Sequence, residues 1–339
     1  MKIIFSTIIA FAVSSLSMAQ FLPMNPNATL EAKALLAKLY ELRGKCCLTG
    51  QHSYPLYSDI YMERVENLTE GSHPVVFGQD FGYSKPNSLD GINFRQRVID
   101  NAIKWHKKGA IITLMWHAVP PTVDGNFTTW KGDYGIQSKL TDQQWKELIT
   151  DGTELNRRWK SQVDVIAFFL RQLQDENIPV IWRPYHEMNG NWFWWGERPG
   201  KDGYQALYRM LYDRLTKYHG LNNLLWVFNA NEVNSQNVKC YDEYFPGYDI
   251  VDILATDVYN QNYQDKDYEL LSDLAKGKII AIGECGKLPT EELLKKQKNW
   301  SWFMCWSEFI ETANDWSARK ALYDSEWTIT LEEFITNKE

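Results

Sequence analysis

The stretch Ile178-Pro-Val-Ile-Trp-Arg-Pro-Tyr-His-Glu-Met-Asn-Gly-Asn-Trp-Phe-Trp-Trp195 decides how the chain is read. Its opening run Val180-Ile181-Trp182 is apolar, short and bounded by Pro179 and Pro184, the pattern of a buried strand rather than a helix. Arg183, His186 and Glu187 end that run, a Gly-containing turn follows, and Trp192, Phe193, Trp194 and Trp195 come in succession. A carboxylic acid set among rings favours its neutral form, so its pKa should rise. Rings offer flat apolar faces and charged groups offer strong hydrogen bonds, the combination that a sugar's C–H faces and hydroxyls require. The alternative, an aromatic core cluster with Glu187 on the surface, fits less well, because buried tryptophans seldom crowd in this way.

Working outward, similar apolar runs recur along the chain at Cys46–Thr49, Pro74–Phe77, Ala110–Met115, Leu224–Phe228, Ile250–Ala255, Lys278–Ile282 and Trp302–Cys305. Amphipathic stretches lie between them, among them Thr29–Leu42, Asn93–Lys108, Gln143–Asn177, Gly203–Tyr218 and Tyr268–Ala275. Strands that alternate with helices indicate an α/β protein with a parallel sheet. Together with Val180–Trp182 the runs supply the strands of a (β/α)8 TIM barrel.

Polar residues at the strand ends separate a barrel from a doubly wound sheet. Gln51-His52, Gln79-Asp80, Trp116-His117, His186-Glu187, Asn229 with Asn231-Glu232, Asp257 with Tyr259, Glu284 and Trp306 each follow a different strand. Barrel enzymes assemble their site from many strand ends at one face. A doubly wound fold concentrates the site in one crevice and usually carries a Gly-rich phosphate loop, which is missing here. The barrel is therefore the expected fold.

Residues 1–19 read as a cleavable leader: Lys2, an apolar run from Ile3 to Val13, and Ser17-Met18-Ala19 as the small-x-small cleavage pattern. Cleavage is expected after Ala19, which predicts a secreted or periplasmic protein without a lipid anchor. Residues 20–339 carry no linker, repeat or low-complexity tract, so one catalytic domain is expected. No later apolar run is long enough to span a bilayer. A net charge of −7 argues against nucleic acid and anionic membrane as partners, and a monomer or weak oligomer is expected. Of the five cysteines, Cys46, Cys285 and Cys305 lie in or beside apolar runs, where a reduced thiol acts as a small hydrophobe, and no Cys-x-x-Cys suggests zinc.

Acetal hydrolysis needs one carboxylic acid to protonate the departing oxygen and one carboxylate to attack carbon or activate water. Glu187 after the fourth strand and Glu284 after the seventh, in Ile279-Ile-Ala-Ile-Gly-Glu-Cys-Gly286, are the candidates. Gly283 and Gly286 around Glu284 would let another group approach the backbone closely. Asp80, Glu232 and Asp257 compete for these roles; Asp257 could orient Tyr259 or an arginine, and Glu232 reads as an exposed loop charge. His117 and His186 could be metal ligands, but no H-E-x-x-H is present, and their aromatic neighbours favour sugar contact. His52 could also touch sugar or simply satisfy a buried hydrogen bond, while His73, His106 and His219 read as surface residues.

Arg183-Pro-Tyr-His-Glu-Met-Asn-Gly-Asn-Trp-Phe-Trp-Trp195, together with Ile282-Gly-Glu284, resembles glycoside hydrolase family 26, dominated by β-mannanases. The likeness runs from Gly50-Gln51-His52 to Trp306. It implies a barrel with catalytic carboxylates after strands 4 and 7 and retaining hydrolysis of β-1,4-mannosides, mannan or manno-oligosaccharides being the substrate. By this likeness Glu187 matches the acid/base and Glu284 the nucleophile. His186 matches the residue that hydrogen-bonds near the nucleophile and the sugar, Trp192 a ring at the −1/+1 border, and His117 a histidine lining −1. Tyr259 matches the donor to the nucleophile, Trp306 the platform under the −1 sugar, and Arg183 the holder of the carboxylates. Phe228 and Asp80 match more weakly. Some members carry a basic residue after the strand-8 Trp to grip a −2 mannose; Ser307 stands there instead.

Retention would place the two carboxyls about 5–5.5 Å apart, inversion roughly 6.5–9.5 Å. The chemistry calls for neither metal nor organic cofactor. Other readings are a hydrolase of the same fold acting on mixed-linkage glucan or β-1,3-xylan, and a glycan-binding barrel without turnover. The insertion Pro120–Leu140, rich in Gly, Asp and aromatics, could wall the cleft and so separate endo from mannobiose-releasing attack.

Overall fold

The computed structural model describes residues 22–57, 60–83, 91–123, 135–233, 238–259 and 263–336. The leader-like residues 1–19 and most of the Pro120–Leu140 insertion lie outside these. Eight barrel strands follow one another in sequence: β1 (Cys47–Leu48 and Gly50–His52), β2 (Val76–Asp80), β3 (Ile111–Trp116), β4 (Val180–Pro184), β5 (Leu224–Asn231), β6 (Ile253–Val258), β7 (Ile279–Cys285) and β8 (Trp300–Cys305). Each pairs in parallel with the next, and β8 pairs back to β1 through Gln51 and Cys305, which closes the sheet into the expected (β/α)8 barrel. A short strand β9 (Thr328–Ile329) extends the first half of β1.

Side chains alternate between two layers, as strand geometry demands. Ile181, Leu225, Val227, Ile253, Ala255, Ile279 and Ala281 pack inside the barrel. Val180, Trp182, Leu224, Trp226, Leu254, Ile280 and Ile282 pack outward beneath the helices. Carried one step further, the inward set reaches Arg183 on β4, Asn229 on β5 and Asp257 on β6, so the polar layer rests directly on the apolar interior.

The helical stretch expected over Gln143–Asn177 is two helices, Asp142–Ile149 and Glu154–Asp175. Gly152, at φ 79°, turns the chain between them, and the Thr153 hydroxyl caps the second by accepting from Asn156 N. The stretch Gly203–Tyr218 begins as an α-helix, Tyr204–Tyr212, and continues as a π-turn over Asp213–Tyr218. β6 starts later than its apolar run because Asp252, just before it, binds the backbone N–H groups of Met24 and Trp226. All five cysteines are reduced, four buried and Cys240 exposed. Among the described residues no helix is long and apolar enough to cross a membrane.

Candidate active site

The two glutamates reach one cavity by different backbone devices. After β4, Tyr185 and Glu187 take left-handed conformations, φ 48° and 55°, which are costly for residues with a Cβ. They are held there: the Tyr185 hydroxyl accepts from Trp159 Nε1 at 2.9 Å, and the Glu187 N–H donates to the Asn229 carbonyl at 2.8 Å. On β7 the device is a bulge. Thr256 faces Ile282 and Asp257 faces Glu284, so Gly283 is an extra residue. Strict alternation would send Glu284 outward with Ile280 and Ile282; the bulge turns it inward. Only glycine fits there, because a Cβ on Gly283 would meet Asn229 Oδ1 at 1.9 Å. Here the close approach expected at this glycine is seen directly.

Glu284 is enclosed by donors. Arg183 Nη2 lies 2.7 Å from its Oε1 and the Tyr259 hydroxyl donates to its Oε2 at 2.6 Å. Arg183 also donates to Asn229 Oδ1 at 2.7 Å and lies 3.5 Å from Asp257. Among the described residues Glu187 receives a single side-chain bond, from Trp192 Nε1 at 2.6 Å. Burial pushes its carboxyl up to about 8, with the charge of Glu284 adding to the effect. Glu284 is thus ringed by donors, while Glu187 is built to keep its proton.

The histidines divide by role. His117 places Nδ1 at 2.5 Å from Asp80 Oδ2, and Asp80 also accepts the backbone N–H of His117 and of Gly82. These donors hold the Asp80 carboxyl below its usual range despite burial. His186 packs edge-on to His117 at 4.5 Å, and burial beside it lowers its pKa well below normal, keeping the ring neutral. Its Nε2 is 3.8 Å from Glu284, so the hydrogen bond expected between them is not formed. His52 is fully buried, stacks on Trp306 at 3.9 Å and binds Ser307 Oγ at 2.6 Å, which makes it a support for Trp306. His73 and His219 are partly exposed and lie beside Glu332 and Asp164.

Two other expectations change. Glu232 is not an exposed loop charge: it is 1 % exposed and accepts the Tyr259 N–H at 2.9 Å. Tyr259 is therefore oriented by Glu232, while Asp257 stands beside Arg183. Among the described residues Arg183 pairs with Glu284 and Asp257 rather than with Glu187.

The cavity has a volume of about 500 Å³ and is lined by His117, His186, Glu187, Trp192, Tyr259, Glu284 and Trp306, all expected from sequence save for their arrangement. Arg183 lies beneath it, fully buried. Tyr54, Tyr83, Phe193, Asn231, Glu308 and Phe309 complete the wall. Tyr54 and Tyr83 were not singled out, although each follows a barrel strand within a few residues as the others do. His186, Asp257 and Glu284 bring possible metal donors within 4.8 Å of one another. The Arg183 guanidinium already occupies that space, and its charge would repel a cation.

A barrel whose upper face joins a donor-bound carboxyl and a buried carboxyl of raised pKa in one ring-lined cavity is a glycosidase-type site. The Glycosyl hydrolase family 26 model matches residues 24–333, and the chain belongs to that family. The mannan endo-1,4-beta-mannosidase of Thermothelomyces thermophilus is 31 % identical over 91 % of this chain and 62 % of its own length. That of Bacillus subtilis is 27 % identical over 91 % of this chain and 87 % of its own. The structure of GH26A from a Muricauda species superposes with a TM-score of 0.86 at 44 % identity, covering 91 % of this chain and 99 % of that one. The chain spans 46–62 % of the length of three curated relatives, from Thermothelomyces and Piromyces.

Proposed function

We propose that this protein is an endo-acting β-1,4-mannanase that hydrolyses mannan-type polysaccharide with retention of configuration. The observation that carries the reading is the unequal treatment of two carboxyls lining one cavity. Glu284 is held by the Arg183 guanidinium and the Tyr259 hydroxyl. Glu187, buried with one indole donor, keeps its proton to about pH 8.

In the first step Glu284 attacks the anomeric carbon while Glu187 passes its proton to the leaving glycosidic oxygen. The C–O bond to the departing sugar breaks and a glycosyl-Glu284 ester forms. In the second step ionised Glu187 takes a proton from water, whose oxygen attacks the same carbon and frees Glu284. Tyr259 and Arg183 hold the attacking carboxylate in place, and Trp306, stacked on His52, supplies a platform for the sugar. His117, fixed by Asp80, and neutral His186 offer hydrogen bonds to its hydroxyls. The mannanase names of the family relatives support mannan as substrate, and the leader-like residues 1–19 support export to the periplasm or the medium.

An NMR time course on manno-oligosaccharides tests the mechanism: the β-anomer should form first, and an α-anomer first would mean inversion. A panel of mannan, lichenan and β-1,3-xylan tests the substrate. Turnover of lichenan without turnover of mannan would overturn the proposal.

A further inference from the structure

Beyond the catalytic pair, the cavity carries a third carboxylate that the mechanism leaves unused. Trp306 is followed by Ser307 in a left-handed conformation, φ 32°. Ser307 is fully buried and turned away from the cavity: its Oγ binds His52 Nδ1 at 2.6 Å, and its carbonyl accepts from Gln51 Nε2 at 3.1 Å. Residue 307 therefore cannot offer a side chain to a sugar. The same turn delivers Glu308 to the cavity wall.

Glu308 is held in place by a relay of donors. Trp306 Nε1 donates to the Tyr54 hydroxyl at 3.1 Å, and that hydroxyl donates to Glu308 Oε2 at 3.1 Å. Among the described residues Oε1 takes no hydrogen bond and no lysine or arginine lines the cavity. A half-buried carboxylate with one oxygen anchored and the other open is a strong acceptor for neutral hydroxyls and repels anions.

Its side of the cleft follows from the barrel. Glu187 and Trp192 come after β4 and, on the hydrolase reading, flank the leaving group. Trp306 and Glu308 come after β8, and Tyr54 after β1, on the opposite rim of an eight-strand ring. A chain running from Trp192 past the two catalytic glutamates arrives at Glu308 on its non-reducing side.

We propose that Glu308, positioned by Tyr54, is the specificity-determining acceptor of a glycone subsite beyond the sugar on Trp306, and that it selects neutral sugar units through their hydroxyls. This rests on the hydrolase reading above. The test is steady-state kinetics of the purified full chain on manno-oligosaccharides of rising length up to mannohexaose, for wild type, E308A and E308Q. E308A should raise KM on the longest substrate roughly tenfold, as loss of a charged hydrogen bond implies, with kcat nearly unchanged and a smaller rise on the shortest cleaved substrate. E308Q, which keeps an acceptor, should fall between E308A and wild type.

An unchanged KM in both variants overturns the proposal. So does an equal loss of kcat at every chain length together with a lower melting temperature, which would make Glu308 a structural partner of Tyr54. Y54F keeps Glu308 but frees it, and should raise KM on long substrates less than E308A does; no effect overturns the positioning role. If the wild type cleaves no mannan or manno-oligosaccharide, the hydrolase reading itself fails, and that outcome is distinct from all the others.

Discussion

Tyr259 donates its hydroxyl to Glu284 Oε2 at 2.6 Å from the end of the neighbouring strand, while Glu232 fixes the tyrosine's own backbone N–H at 2.9 Å. On the proposed mechanism this contact must loosen as negative charge leaves Glu284 for the anomeric carbon. On that reading the contact also aims the attacking oxygen. Y259F should lower kcat by roughly 10- to 100-fold, the range for a hydrogen bond to a charged group, with a much smaller change in KM. Steady-state kinetics on mannohexaose check this, and an unchanged kcat would remove Tyr259 from the reacting centre.

On the proposed mechanism Glu187 sets the alkaline limit of activity. Burial and the nearby Glu284 push its carboxyl up to about 8 from its ordinary 4.5. The step needs the protonated form, so kcat/KM should fall as pH rises through about 8. The Trp192 indole opposes the shift by donating to the ionised carboxylate at 2.6 Å. W192F keeps the apolar wall and deletes that donor, so the alkaline limb should move to higher pH. A shift to lower pH would contradict this electrostatic account.

The same proton links activity to stability. A carboxyl held more tightly in the folded state contributes stability that is complete below its unfolded value and lost as pH rises through its folded value. For Glu187 that window runs from about 4.5 to about 8. E187Q, which does not titrate, should abolish hydrolysis yet melt at a higher temperature than wild type above that window. Near pH 4.5 the two should melt close together. Calorimetry at both ends of the window decides, and equal gaps there would show that Glu187 does not titrate in the fold as described.

Gly283 is predicted to be intolerant of any side chain. A Cβ there would sit 1.9 Å from Asn229 Oδ1 and 2.7 Å from Asp257 Oδ1, both buried under Arg183. G283A should cost roughly 1–3 kcal/mol by overpacking and reduce kcat by displacing Glu284. G283A/N229A removes the nearer of the two clashes but not the one with Asp257, and should recover part of the lost stability but not activity, because Arg183 loses its 2.7 Å bond to Asn229. Chemical denaturation with parallel assays separates the two effects.

Legibility from sequence followed locality. The apolar runs and the amphipathic patterns between them are readable because a parallel strand buried on both faces is apolar throughout, while a helix covering the sheet is apolar on one face at a period of 3.6. Val180-Ile181-Trp182 between its prolines is the clearest case. Glu187 and Glu284 stood out because charges at the ends of apolar strands are costly unless used. The reading erred where the fate of a charge depends on distant parts of the chain. Glu232 reads as an exposed loop charge yet is buried against the Tyr259 N–H, and His186, expected to hydrogen-bond near the nucleophile, stands 3.8 Å from Glu284.

The sequence alone determined the alternation of strands and helices, the polar residues at the strand ends, and the pair of glutamates with their aromatic company. These follow from hydrophobic periodicity and from composition within a few residues. Tertiary structure alone decided which way Glu284 points, since the Gly283 bulge exists only in the pairing of β7 with β6. It also decided that Arg183 serves Glu284 rather than Glu187, and that Ser307 turns inward so that Glu308 reaches the cleft. Register, bulges and ion-pair partners are relations between segments far apart in the chain, and no local pattern encodes them.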